Sequence, residues 1–367
     1  MHSLMKKVFI AATKQNDGKT TVALGLIFNF QKLFKQVGFI KPVGQRYLEE
    51  DGVKVDEDSI LIEESLKPYG IKYKLKDMSP VAVEKGFTEN YILKPNRQAI
   101  TRQIRESFRR VSGRQNLVII EGTGHAGVGS VFDHSNAQVA KILGAKVVLV
   151  SSGGIGRPID EIVLNKVLFE KEGVKLLGVI INKVMPGKFN KINNLVRQGL
   201  RRKGVDVLGV IPYNPILSYP TIRQISEETK FKVLSGCDDA FLDNHVARIV
   251  IGAMQPKEAA RYIVDQSLVI TPGDREDILR LALDSHKQKC RISGLVLTGD
   301  LMPVDEFISQ IRDAGIPVLL AKQDTYTVAY KLHDLTVKIR PKDREKIELV
   351  KQMIHDYVDL DMILKRI

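Results

Sequence analysis

The residues with the most chemical capability lie together in Thr13-Lys14-Gln15-Asn16-Asp17-Gly18-Lys19-Thr20-Thr21. This segment follows an apolar run, Val8–Ala12, and precedes a long helical pattern. A turn between a strand and a helix presents backbone N–H groups beside a helix N-terminus, and together these cradle phosphate oxygens. In such a loop Lys19 would reach the outer phosphates, Thr20 would give its hydroxyl to Mg²⁺, and Thr21 would touch an inner phosphate. Thr13, Lys14, Asp17 and Gly18 make up the rest of the cradle. Thr13 stands where the GxxxxGK[ST] pattern has its first glycine, so Gly18-Lys19-Thr20 carries the pattern through its strand-and-helix context. The expected cofactors are ATP and Mg²⁺.

A hard cation needs carboxylates as well as a hydroxyl. Glu121 closes the apolar run Leu117–Glu121, and the carboxyl ends of strands face the ligand crevice in open α/β sheets. It either joins the metal or caps the turn Gly122-Thr123-Gly124. Asp56 and Asp58 precede an apolar helical stretch, as metal ligands or as helix caps. His125 is either an acid–base group or a loop histidine. Asn182 ends another apolar run, as a turn residue or as a donor and acceptor for a purine edge. Asn182-Lys183 begins like the NKxD motif of GTPases, but Met185 replaces its aspartate. Guanine would then lack a partner for N1–H and N2–H, so ATP is expected over GTP.

These residues need strands to hold them. Lys7–Ala12, Gly38–Pro42, Leu117–Glu121, Lys146–Ser151, Leu176–Asn182 and Val207–Ile211 are short, β-branched and almost continuously apolar. Such runs suit a parallel sheet covered on both faces. Helical patterns over 20–36, 135–143 and 159–172 lie between them, and Gly38, Gly144 and Gly173 mark stops. The alternation predicts a doubly wound α/β fold. Pro212, Pro215 and Pro220 mark a boundary, giving domains at 1–214 and 215–367. The second, smaller α/β domain should hold strands over 267–271, 294–298 and 317–321, and helices over 274–285, 304–314 and 343–358. It carries no second phosphate loop. Asp274 and Arg275 follow one of its strands and Thr325-Tyr326-Thr327 another, as a small-ligand site or as a cap and a turn.

Composition excludes several classes. With 44% hydrophobic and 27% charged residues, the 367-residue chain is an ordinary globular protein. No apolar run approaches the length of a membrane span, and Met1–Ala12 lacks a signal h-region. Cys237 and Cys290 have no CxxC or histidine neighbours, so free thiols in a reducing, cytoplasmic setting are expected. The net charge of +13 is spread over helix faces such as Arg105/Arg109/Arg110 and Arg197/Arg201/Arg202. Neither nucleic acid nor membrane is therefore an expected partner.

The loop also resembles the deviant Walker A loop of ParA/MinD-like P-loop proteins, through a second lysine, Lys14, five residues before Lys19. Residues 6–225 as a whole are similar to the dethiobiotin synthetase family. The resemblance runs through the loop, Ile40-Lys41-Pro42-Val43-Gly44, Asp58, Glu121-Gly122-Thr123-Gly124, Asn182-Lys183-Val184 and Leu208-Gly209-Val210-Ile211-Pro212. The remainder resembles the DRTGG domain, through Val269–Asp277, Leu297-Thr298-Gly299-Asp300 and Asp324–Thr327. The combination is similar to the N-terminal portion of long bacterial phosphotransacetylases. The chain is not expected to make acetyl phosphate by itself, since no transacetylase domain follows.

The resemblance implies that Lys14, Lys19 and Lys41 surround a transferred γ-phosphoryl group. It implies that Thr20, Asp58 and Glu121 hold Mg²⁺, and that Asn182 meets the adenine edge. Three functions stay open. One is a nucleotide-binding regulatory module tied to acetyl-phosphate metabolism. Another is an ATP-dependent ligase activating a small carboxylate or carbamate. The third is a ParA-like ATPase switch. A homodimer or higher homo-oligomer is expected.

Overall fold

The computed structural model describes residues 5–50, 52–70, 73–113, 115–235, 239–288 and 290–367. Cys237 lies outside them; Cys290 is a free, half-buried thiol. The chain divides into two compact units, one of Met1–Tyr213 with Ile339–Ile367, the other of Asn214–Lys338.

In the first unit the apolar runs become β1 (Lys6–Ala12), β2 (Val37–Ile40), β3 (Leu117–Glu121), β4 (Lys146–Ser152), β5 (Leu176–Val184) and β6 (Val207–Pro212). They pair in the order β6-β5-β4-β1-β3-β2, every neighbour parallel. Val8–Ala12 and all of β3 are buried, which is why these strands read as unbroken apolar runs rather than alternating ones. β1 lies between β3 and β4, with Ile10 beside Glu121 and Ala12 beside Val150. The chain leaves β1 for β2, beyond β3, so the end of β1 is a topological switch point, where open α/β sheets bind ligands.

The covering helices are α1 (Lys19–Phe30), α2 (Glu57–Leu66), α3 (Arg97–Ser112), α4 (Asn136–Leu143), α5 (Arg157–Lys171) and α6 (Phe189–Arg201). Ser135 and Gln138 start α4 with a reciprocal capping box. α1 ends at Phe30, short of the Gln36 that periodicity suggested; the next strand begins at Val37, and Gln36 O already accepts from Asn116 N (3.0 Å) beside β3.

The second unit contains α7 (Ile222–Thr229), β7 (Lys232–Ser235), β8 (Arg248–Ile251), β9 (Ser267–Pro272), α8 (Glu276–Gln288), β10 (Gly294–Thr298), α9 (Asp305–Asp313), β11 (Val318–Leu320) and α10 (Thr325–His333). Its sheet runs β7-β11-β10-β9-β8, parallel except for β7 against β11. Val269, Leu295 and Leu297 meet α8 and α9 on one face, while Leu268, Ile270 and Val296 meet α7 and α10 on the other. Thr325, Tyr326 and Thr327 form the first turn of α10 instead of a loop, because Asp324 caps that helix and accepts from Tyr326 N and Thr327 N.

The final helices correct the expected boundary. α11 (Arg344–Tyr357) and α12 (Leu360–Arg366) belong to the first unit, so residues 339–367 do not belong with the second. α11 buries Ile347, Val350, Met353 and Ile354, and Lys351 O accepts from Asn29 Nδ2 of α1 (3.0 Å). Asp359 N donates to Leu208 O (2.8 Å), and Arg366 Nη1 donates to Leu177 O (2.7 Å). The sequence placed a helix at 343–358 correctly, but helical period says nothing about which sheet the apolar stripe covers.

Candidate functional site

The loop between β1 and α1 is built around Gly18 and Asp17. Gly18 adopts φ 98°, and a Cβ there would come 2.2 Å from Asn182 Nδ2, so both the conformation and the space require glycine. Asp17 is buried and turns inward, accepting from Lys14 N (3.0 Å) and Thr13 Oγ1 (2.7 Å). The Thr13 hydroxyl also meets Ser151 Oγ, at the end of β4, at 3.1 Å. Burial raises the Asp17 pKa against the hydrogen bonds from Thr13 and Lys14. Lys14 is half-buried in the loop, and Thr21 lies in the first turn of α1.

Asn182 and Lys183 hold the loop from outside. Asn182 Nδ2 donates to Asp17 O (2.9 Å), and Lys183 Nζ donates to Asn16 O (2.7 Å). Asn182 Oδ1 accepts from Lys183 N (2.9 Å). The trans peptide points its C=O and N–H in opposite directions. Anchoring these two carbonyls outward therefore turns the following N–H groups toward the cradle. Asn182 is placed against the loop backbone in this structure.

A buried charge cluster faces the loop. Thr20 Oγ1 donates to Glu121 Oε1 (2.9 Å). Lys41, just after β2, places Nζ 3.3 Å from Glu121 Oε1 and 3.1 Å from Asp56 Oδ1, and pairs with Asp58. Asp56 also caps α2, accepting from Asp58 N (3.1 Å), so cap and cluster member are one residue. Burial opposes the Lys41 charge, but Asp58, Glu121 and Asp56 outweigh it and hold its pKa well above the ordinary value. Burial pushes Glu121 up to about 7 despite Lys41 and Lys19 nearby. Burial lowers Lys19, with Glu121 opposing.

The structure thus brings Thr20, Lys41, Asp58 and Glu121 together, with Lys19 close enough to act on Glu121 electrostatically. Among the described residues no group of three or more His, Cys, Asp or Glu side chains forms a metal cage. Mg²⁺ needs less: it keeps several waters and takes one or two carboxylates with substrate phosphates. Two carboxylates and the Thr20 hydroxyl are an all-oxygen set of that kind. Glu121 Oε2, wholly buried with no hydrogen-bond partner, has acceptor capacity left for such an ion.

Sequence reasoning gave no role to Ser151, Lys183, Asn136 or Asn165. Asn136 braces the turn after Glu121, accepting from Thr123 N (3.0 Å) and donating to Thr123 O and His125 O (both 2.7 Å). Asn165 accepts from Ala126 N at 2.7 Å. A serine at the end of an apolar strand was a readable signal for Ser151; the asparagines on α4 and α5 carried none. His125 is exposed, with its Nδ1 accepting from Gly127 N (3.2 Å), apart from the charge cluster.

A parallel sheet with a phosphate-type loop at its switch point defines a P-loop α/β protein. The chain belongs to the AAA_26 family, an AAA domain, whose profile matches residues 6–221. A DRTGG domain matches residues 224–335. Curated relatives include the phosphate acetyltransferases of Pseudomonas putida and Synechocystis sp., each 26% identical. These cover 99% and 98% of this chain and 52% of each relative, so the chain spans about half the length of the relatives it matches. A solved structure of the MinC:MinD cell division protein complex of Aquifex aeolicus matches at 19% identity and TM-score 0.38, covering 58% of this chain and 84% of that one. No helix of the described residues is long and apolar enough to cross a membrane.

Proposed function

We propose that the first unit binds Mg-ATP and that the chain is a nucleotide-responsive regulatory module serving phosphate acetyltransferase chemistry of the kind its relatives are named for. The observation that carries the nucleotide reading is the convergence of Thr20 and Glu121 beside Lys19 at the end of β1. Lys19 would meet the outer phosphates, and Lys14 would add positive charge. Gly18, Thr21 and their neighbours would give backbone and hydroxyl contacts. Thr20, Asp58 and Glu121 would hold Mg²⁺, which when bound would neutralise phosphate charge. Asn182, near the loop, would offer its remaining amide capacity to adenine. Exposed Met185 provides no carboxylate for guanine.

The regulatory part is supported by connectivity. Residues 214–338 are inserted between two parts of the first unit, and the chain returning from them enters α11, which packs on α1. α1 begins at the phosphate loop. A ligand acting on the inserted unit would thus have a covalent route to the helix carrying Lys19 and Thr20. A second reading, an ATP-dependent ligase for a small carboxylate or carbamate, is favoured by Lys41, a buried cation facing the cluster and not part of the loop. Lys41 would then sit beside the transferred γ-phosphoryl group.

Thermal unfolding with Mg-ATP, Mg-GTP and acetyl-CoA tests the assignment. A ligand at about 100 times its Kd should add roughly 2.7 kcal/mol of stability. Lys19→Ala should weaken Mg-ATP at least about tenfold, since a charge-assisted contact contributes roughly 1.5–3 kcal/mol. Equal binding by variant and parent would reject the phosphate-loop reading, and tighter GTP than ATP in competition would reject the base choice. Light scattering with and without Mg-ATP tests the expected homodimer or higher homo-oligomer.

A further inference from the structure

Lys41 stands among the oxygens a divalent cation would use. Its ammonium pairs with Asp58, lies 3.3 Å from Glu121 Oε1 and 3.1 Å from Asp56 Oδ1. The same Glu121 oxygen accepts from the Thr20 hydroxyl at 2.9 Å. All four charged side chains are buried, from 0% exposed at Glu121 to 6% at Lys41. In so dry a place an ammonium and a divalent ion within a few ångströms of each other repel strongly, and water screens little of it. The ammonium and the metal therefore cannot hold Asp58 and Glu121 in the same way at once. The remaining Glu121 oxygen, Oε2, is buried and without a hydrogen-bond partner, so the cluster is not saturated by Lys41 alone. Asp56 gives the lysine an anchor, and as the cap of α2 it is itself fixed to Asp58 N.

We propose that Lys41 is a tethered counter-ion that masks the divalent-cation site, so that the metal enters with the nucleotide, whose phosphates take over the ammonium. This rests on the nucleotide reading above. It makes the metal and the nucleotide bind as strongly coupled ligands, each raising the affinity of the other. Asp56 becomes a positioning residue that holds the lysine in the masking place. Removing the ammonium should let two carboxylates, Asp58 and Glu121, and the Thr20 hydroxyl take a divalent ion without any nucleotide.

Mn²⁺ alone is the probe, titrated into the full chain and followed by the paramagnetic resonance of the free ion and by thermal unfolding. Wild type and Lys41→Arg, which keeps the charge, should bind Mn²⁺ weakly and melt at the same temperature with and without it. Lys41→Met should bind Mn²⁺ roughly tenfold tighter or more, the scale of one removed repulsive charge, and should melt higher when the ion is present. If Lys41→Met does not fold in metal-free buffer, Mn²⁺ added during refolding should restore its circular dichroism. A folded Lys41→Met that binds no tighter than wild type, a refolding that Mn²⁺ does not rescue, or tight Mn²⁺ binding by wild type without nucleotide would each overturn the masking. Titration of wild type with Mg-ATP separates the two ideas. If wild type binds no nucleotide while Lys41→Met takes up Mn²⁺, the masking stands and the nucleotide reading falls.

Discussion

Both units end their parallel strands at a helix N-terminus, but the two edges bury different things. In the first unit the ends of β1, β2 and β3 surround Lys19, Lys41, Asp56, Asp58 and Glu121, all buried. In the second, the ends of β9, β10 and β11 lead to Asp274, Asp300, Lys322 and Asp324, all exposed. Its buried polar groups there are neutral, such as Thr298, whose hydroxyl meets Thr325 Oγ1 at 2.8 Å. The first N–H groups of α10 are already taken by Asp324. Buried charge is costly to fold around and has no value to stability alone. The first edge therefore buries charge, whereas the second, among the described residues, buries only neutral polar groups, Thr271 Oγ1 among them without a hydrogen-bond partner.

The largest effect should come from cutting the chain where the sequence placed its boundary. A fragment ending at Asn214 loses α11 and leaves the face of α1 around Gly25 and Asn29 open. Four apolar side chains of α11 contribute about 1.5–3 kcal/mol each, comparable with the roughly 5–15 kcal/mol that holds a whole domain. That fragment should fail to unfold cooperatively in denaturant. The excised Asn214–Lys338 unit, with its own sheet and two cores, should give a single transition. A stable, cooperative 1–214 fragment would refute the assignment of α11 to the first unit.

A smaller effect should separate the two edges by pH. The folded pKa of Glu121 is about 7 against an ordinary value near 4.5, so the folded state holds a proton that the unfolded state has released. Stability should therefore fall as pH rises from about 4.5 to about 7, by a few kcal/mol, and level off above that. Burial raises the pKa of Asp56 as well, a shift of the same sign. Denaturant unfolding across this range should show the fall in the ligand-free protein and a shallower one in Glu121→Gln. Equal slopes would mean that burying this carboxylate has no cost.

The smallest effect is expected at the neutral edge. Thr298→Val removes one hydroxyl pair and should cost about 1 kcal/mol, with Mg-ATP affinity unchanged. A loss of nucleotide binding in this variant would show that the second edge takes part in the first unit's chemistry.

The parts of this protein that the sequence determined are those governed by local period and by the chemistry of a continuous segment. β3 and β10 begin and end where the sequence runs do, because parallel strands covered on both faces are nearly continuous in apolar residues up to a polar end, Glu121 in β3 and Thr298 in β10. The phosphate loop was legible because strand, glycine turn, Lys19 and helix are contiguous, and Gly18 is fixed by a backbone φ of 98°. The tertiary structure alone decided what meets across the chain. It set Lys41 among Asp56, Asp58 and Glu121, and put Asn182 and Lys183 on the carbonyls of Asp17 and Asn16. It also returned α11, which follows the inserted unit in the chain, to α1. A helix records in its sequence that one face is apolar, but any sheet could satisfy that face. The choice among partners depends on chain connectivity and on packing shape, here the absence of a side chain at Gly25, where a Cβ would lie 2.2 Å from Ile354 Cγ1.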